Sequence, residues 1–161
     1  MSAAAVLPTW APELGEVLDR LGPDWTRIEH VPFGATVDVE HVLLSSHGLA
    51  VVTTLETVPE TQDPIVEARW RARKITALLG GVAWVPARAV LVVPRLGALG
   101  EGLHDGVLVA QAEDAVSWLA HPAWWSPSID AADVGRMIDV VVRHIRQTDE
   151  IVSRYRVRAV V

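Results

Sequence analysis

Apolar positions recur along this chain in two distinct periods, and the order of those periods outlines a fold. Residues Pro12–Leu21 place Leu14, Val17, Leu18 and Leu21 at helical spacing, and Gly22-Pro23-Asp24 ends the helix. Trp25–Val31 reads as a strand, with Pro32-Phe33-Gly34 as its turn. Thr36–Leu44 and Leu49–Leu55 are two β-rich runs, joined through Ser45-Ser46-His47-Gly48 as a hairpin with a loop of four residues. A helix is expected from Ile65 to Leu79, with Ile65, Ala68, Ala72, Ile75 and Leu79 on one face and Gly80-Gly81 as its stop. Arg88–Val93 is apolar without alternation, the mark of a strand buried on both faces. Leu96–Gly106, with four glycines, reads as a loop, Gly106–Ala110 as a short strand and Glu113–Ala120 as a short helix. Asp130 caps a last helix to about Arg146, whose inward positions are Val134, Met137, Ile138, Val141, Val142 and Ile145.

The order α-β-β-β-α-β-β-α-α predicts an α/β fold, a mixed central β-sheet flanked by helices. The 161 residues suit one domain, with a core at about 12–147 and a basic C-terminal segment at about 148–161. No run reaches the roughly 20 apolar residues of a membrane span. The first residues read as no secretory signal, so the cytoplasm is the expected address. The absence of cysteine excludes disulfides, zinc–thiolate sites and thiol nucleophiles.

Charge narrows the chemistry further. A net charge of −6 disfavours a phosphate backbone as ligand, yet Arg143, Arg146, Arg154, Arg156 and Arg158 concentrate near the C-terminus. Lys74 is the single lysine among fourteen basic residues, a composition expected of a GC-rich bacterial genome. Six histidines are scattered without zinc-site spacing. Gly97-x-x-Gly100-x-Gly102 lacks the Lys-Ser/Thr of a phosphate cradle. The serines lack a nucleophile-elbow context. Seven tryptophans stand against one tyrosine and one phenylalanine, and Trp124-Trp125 lie in a Pro-rich loop. Such a pair either seals the core edge or anchors a partner.

The hairpin carries the candidate chemistry. With Leu44 facing Leu49, Glu40 lies opposite Thr53 and Asp38 opposite Leu55. Strand alternation then puts all four side chains on one face. Clustered carboxylates suit Mg²⁺ or Mn²⁺, whereas the plainer reading has Asp38 at a frayed end and Glu40 solvated or paired. A slip of one residue would exchange Thr54 for Thr53 on that face.

Gly15-Glu16 on the first helix, Val39-Glu40-His41, and Gly48-Leu-Ala-Val-Val-Thr-Thr-Leu55 together resemble the nuclease-related domain (NERD) family of the PD-(D/E)xK nuclease superfamily. The resemblance continues through Asp63-Pro64 with Glu67, and Ala89-Val-Leu-Val-Val93, covering about 12–119. It implies a restriction-endonuclease-like core in which carboxylates hold a metal and a lysine orients the attacking water. This chain departs from that pattern where it matters. Glu16 keeps the helix carboxylate and Glu40 replaces an aspartate, but Thr53 stands at the family acid and Leu55 at the family lysine. Losing a ligand and the lysine together removes orders of magnitude in rate.

The resemblance therefore implies a non-catalytic binding or scaffold module without a cofactor. Its expected partner is a protein or a second copy of the chain, met through Trp124, Trp125, Arg154 or Arg156. Nucleic acid remains a second partner class, and no membrane is expected. The alternative is a divalent-metal-dependent nuclease acting on DNA or RNA. Its remnant site would use Glu16, Glu40 and Lys74, with Asp38 and Glu40 on Mg²⁺ or Mn²⁺. A third reading is a small-molecule binder using space at Leu55 and Thr53. His41, facing away from Glu40, is expected to make a structural hydrogen bond.

Overall fold

The computed structural model describes residues 10–34, 37–55, 63–97, 99–121 and 128–160, with side chains described outside 10–13 and 150–160. Helix α1 (Trp10–Asp19) precedes a meander of β1 (Thr26–Phe33), β2 (Val37–Ser45) and β3 (Gly48–Thr54). Helix α2 (Asp63–Leu79) leads to β4 (Arg88–Val92), then β5 (Gly102–His104), β6 (Val107–Ala110), α3 (Ala112–Ala120) and α4 (Ala131–Val160). The strands form one mixed sheet in the order β1-β2-β3-β4-β6-β5. The meander is antiparallel, β3, β4 and β6 run parallel, and β5 returns antiparallel on β6. This is the α/β mixed sheet that the periodicity predicts. Among the described residues no helix is long and apolar enough to cross a membrane.

Each face of the sheet has its own core. Leu49, Val51, Ala89, Leu91 and Val109 pack with Ile65, Ile75 and Leu79 of α2 and Met137 and Val141 of α4. Ala50, Val52, Val90, Val92 and Leu108 pack with Leu14 and Leu18 of α1 and Ala115 and Leu119 of α3. Strand β4 supplies both cores from successive residues, which is why its sequence is apolar without alternation. Each fully buried Val or Leu contributes about 1.5–3 kcal/mol, so the central strands dominate the stability.

Four elements depart from the sequence-based expectation, the first being β1, which runs on through Pro32 and Phe33, expected as its turn, with the two paired to Asp38 and Val37. The hairpin turn tightens to Ser46-His47, because Ser45 pairs with Gly48 while the Leu44–Leu49 register is kept. The glycine-rich stretch contains β5, turned onto β6 by Asp105 (φ 51°) and Gly106 (φ 80°). Two consecutive positive φ values make the reversal that an Asp-Gly pair favours. Finally, α4 does not stop near Arg146 but continues as helix to Val160. Asp130 caps it as expected, accepting the Ala132 N–H at 3.3 Å.

The outer strand β1 is protected rather than open. His30 sits mid-strand with φ 55°, Pro32 removes a donor, and Arg27 and Glu29 are charged. These features discourage edge-to-edge pairing. Helix α4 covers the same end: His144 Nε2 donates to the Pro32 carbonyl at 2.6 Å and its ring packs on Phe33.

Candidate functional site

The two hairpin strands pair in the expected register, with His41 opposite Val52 and Leu43 opposite Ala50. What changes is the face. Val39 and Val42 are three residues apart yet both pack into the α2/α4 core, so alternation breaks between them at Glu40-His41. On β1, Ile28 and Val31 do the same across His30. The ladder skips the His30–Glu40 pair, joining Glu29 with His41 and Val31 with Val39. A left-handed residue in one strand thus turns the chain over locally, and the opposing strand follows.

The two carboxylates are parted from Thr53 and Leu55 as a result, while Thr53 and Leu55 stay on one face by alternation. Glu40 is half-buried, and its carboxylate accepts the Thr54 N–H at 3.3 Å and the Thr54 hydroxyl. Thr54 belongs to the face of Ala50 and Val52, opposite the face that carries Leu55. Leu55 packs against the α2/α4 core, and its N–H donates to the Val92 carbonyl at 2.9 Å. Thr53 is buried, and its hydroxyl has no hydrogen-bond partner among the described residues. Asp38 is exposed and pairs with His30 Nδ1 at 2.7 Å.

Glu16 is exposed on α1, which packs on the face of Ala50 and Val52. Lys74 is exposed on α2, across the sheet, where its ammonium lies 5.1 Å from the centre of the Trp70 ring. The single lysine is therefore held by an aromatic face on the other side of the sheet from the Glu40–Thr54 contact. Glu67 is also exposed and pairs with Arg71 at 3.7 Å. Trp124 and Trp125 lie outside the described residues. Arg154 and Arg156 fall on the last turns of α4, outside the described side chains.

No family model, no curated protein and no solved structure matches this chain.

Other polar groups near the hairpin carry information that the motifs did not. Arg27 bonds Asp19 at 3.0 Å and also pairs with Glu29, tying α1 to β1. A Cβ on Gly15 would lie 2.9 Å from that guanidinium, so the glycine of Gly15-Glu16 makes room for Arg27. His41 is buried beneath this ion cluster, and its Nδ1 has no hydrogen-bond partner among the described residues. Burial pushes its pKa down to about 4, with help from the positive charges of Arg27 and His30 and opposition from Asp19. A ring held neutral in this way is packing material at ordinary pH. Among the described residues no three His, Asp or Glu side chains cluster as a metal ion would need.

A recess of about 320 Å³ opens at the carboxyl ends of β4 and β6, lined by Val17, Val93, Pro94, Gln111, Glu113 and Asp114. Parallel sheets usually bind ligands at this end. Here the first turn of α3 supplies its own carboxylates, and Gln111 is used to bond the Pro94 carbonyl at 3.0 Å.

Proposed function

We propose that this chain is a non-catalytic binding module on a nuclease-like core, of the restriction-endonuclease-like kind, working in the cytoplasm without a resident metal. Supporting the core assignment are the leading helix, the antiparallel meander, and a helix returning the chain to a parallel strand beside β3. One observation carries the loss of catalysis. Where the resembled family has an acid and a lysine, this chain has the buried Thr53 on β3 and, just past the end of that strand, Leu55, partly buried against the core. Thr53 supplies no charge to a metal, and Leu55 has no group with which to orient or deprotonate a water. The alternative, a metal-dependent nuclease, needs Lys74 to replace the missing lysine, but Lys74 lies across the sheet over Trp70.

Cleavage of supercoiled, linear and single-stranded DNA and of RNA, with Mn²⁺ or Mg²⁺, tests this reading beside a Glu40→Ala control. The expected result is no cleavage above background and no Mn²⁺-dependent shift in melting temperature. Cleavage that Glu40→Ala abolishes would overturn the proposal and make Lys74→Ala the next variant.

A further inference from the structure

A second cavity lies away from the hairpin, between α2, the segment entering β4, and the β5–β6 turn. Its volume is about 460 Å³, within the size range of small-ligand sites. Arg69, Ala72, Arg73 and Thr76 form one wall at helical spacing, so all four project from one stripe of α2. Trp84, Pro86 and Ala87 form a second wall, and Asp105-Gly106 a third.

The tryptophan wall is fixed in place. Thr76 donates its hydroxyl to the Ala72 carbonyl and accepts the Ala87 N–H, each at 2.9 Å, which staples the incoming segment to α2. The Trp84 ring rests 3.4 Å from the place of a Cβ on Gly80, yet the residue remains 74% exposed. An indole seated along one edge and otherwise open to water is a ready stacking surface. The facing groups are cationic. Arg69 has one long bond, 3.5 Å, to the Asp105 carbonyl, and Arg73 is exposed without an acidic partner among the described residues.

We propose that this groove binds a free nucleotide, its base on Trp84 and its phosphate on Arg73 and Arg69. A planar face, an anion and hydroxyl donors are the chemistry that an indole, two guanidiniums and the acceptor-only carboxylate of Asp105 complement together. Asp105 and the net charge of −6 both work against a long polyanion, which favours the free nucleotide over a nucleic-acid strand. None of these residues belongs to the β2–β3 hairpin, so the inference goes beyond the nuclease-like reading and does not depend on it.

Isothermal titration of the whole chain with AMP, GMP, CMP and UMP tests the site. Adenosine, ribose 5-phosphate and a short single-stranded RNA serve as comparisons. At least one nucleotide should bind with a Kd below about 1 mM, and tighter than either fragment. Trp84→Ala should weaken it about tenfold or more, as lost base stacking does elsewhere. Arg73→Gln, an exposed change that leaves the fold intact, should weaken it about tenfold, the loss of a charge-assisted bond. Arg136→Gln on α4 should change nothing. Absence of saturable binding by all four nucleotides overturns the proposal. So does ribose 5-phosphate binding equally well, or affinity untouched by both groove variants. Tighter, salt-sensitive binding of the RNA would instead assign the groove to a strand and equally reject the free nucleotide. The nuclease assay reports on Glu40, so either reading can fail alone.

Discussion

Acid should weaken this fold through His41 before it reaches the carboxylates. The ring is buried on β2, with Glu29 opposite on β1 and Val52 opposite on β3. Burial first, then Arg27 and His30, lower its pKa from 6.5 to about 4. The folded protein therefore keeps His41 neutral down to about pH 4, while the unfolded chain takes up a proton near pH 6.5. Between those values the unfolded state binds more protons, so stability is complete above pH 6.5 and falls as pH drops towards 4. At 1.36 kcal/mol per tenfold in proton affinity, the loss reaches about 3 kcal/mol at pH 4. That is a large part of the 5–15 kcal/mol typical of a domain, and corresponds to roughly 6–12 °C in Tm at this size. The Arg27 hydrogen bond lowers the pKa of Asp19 below 3.8, so that group stabilises the fold above 3.8 and its contribution is lost only at lower pH. Urea unfolding of wild type and His41→Gln, repeated from pH 7 to 4.5, isolates the histidine because the shared carboxylates cancel in the difference. The variant should lose less stability than wild type over that range, whatever its stability at pH 7. Parallel pH profiles, or a His41 ring that titrates near 6.5 by NMR, would refute the reasoning.

Two further changes test the hairpin and the last helix. Thr53→Val keeps the shape while removing a buried hydroxyl that has no partner among the described residues, so it should stabilise the fold by about 1 kcal/mol in chemical denaturation. A loss of more than about 1 kcal/mol would mean that the hydroxyl is satisfied after all. Asp130→Ala removes the side-chain acceptor at the start of α4 and should cost about 1 kcal/mol, read as a lower urea midpoint with an unchanged slope.

The sequence determined those features that report an element's average surroundings. Helical spacing located α1 and α2, the unbroken apolar run placed β4 between two cores, and the pairing of Leu44 with Leu49 set the hairpin register. Asp130 marked the start of α4, because a cap is a local hydrogen bond. Strand β5 also left a local trace, since Asp105-Gly106 is a hairpin signal, but three residues between glycines gave no periodicity to read. Strict alternation put Asp38, Glu40, Thr53 and Leu55 together, and only the tertiary structure decided otherwise. One positive φ at His30 turned β1 over, β2 turned with it, and Glu40 was left on Thr54. Periodicity assumes an unbroken strand, and nothing in a single residue's type announces where its partner strand will break. The seat of Arg27 over Gly15 and the groove between Trp84 and Arg73 have the same origin. Each joins side chains from elements far apart in the chain, and only packing brings them within reach.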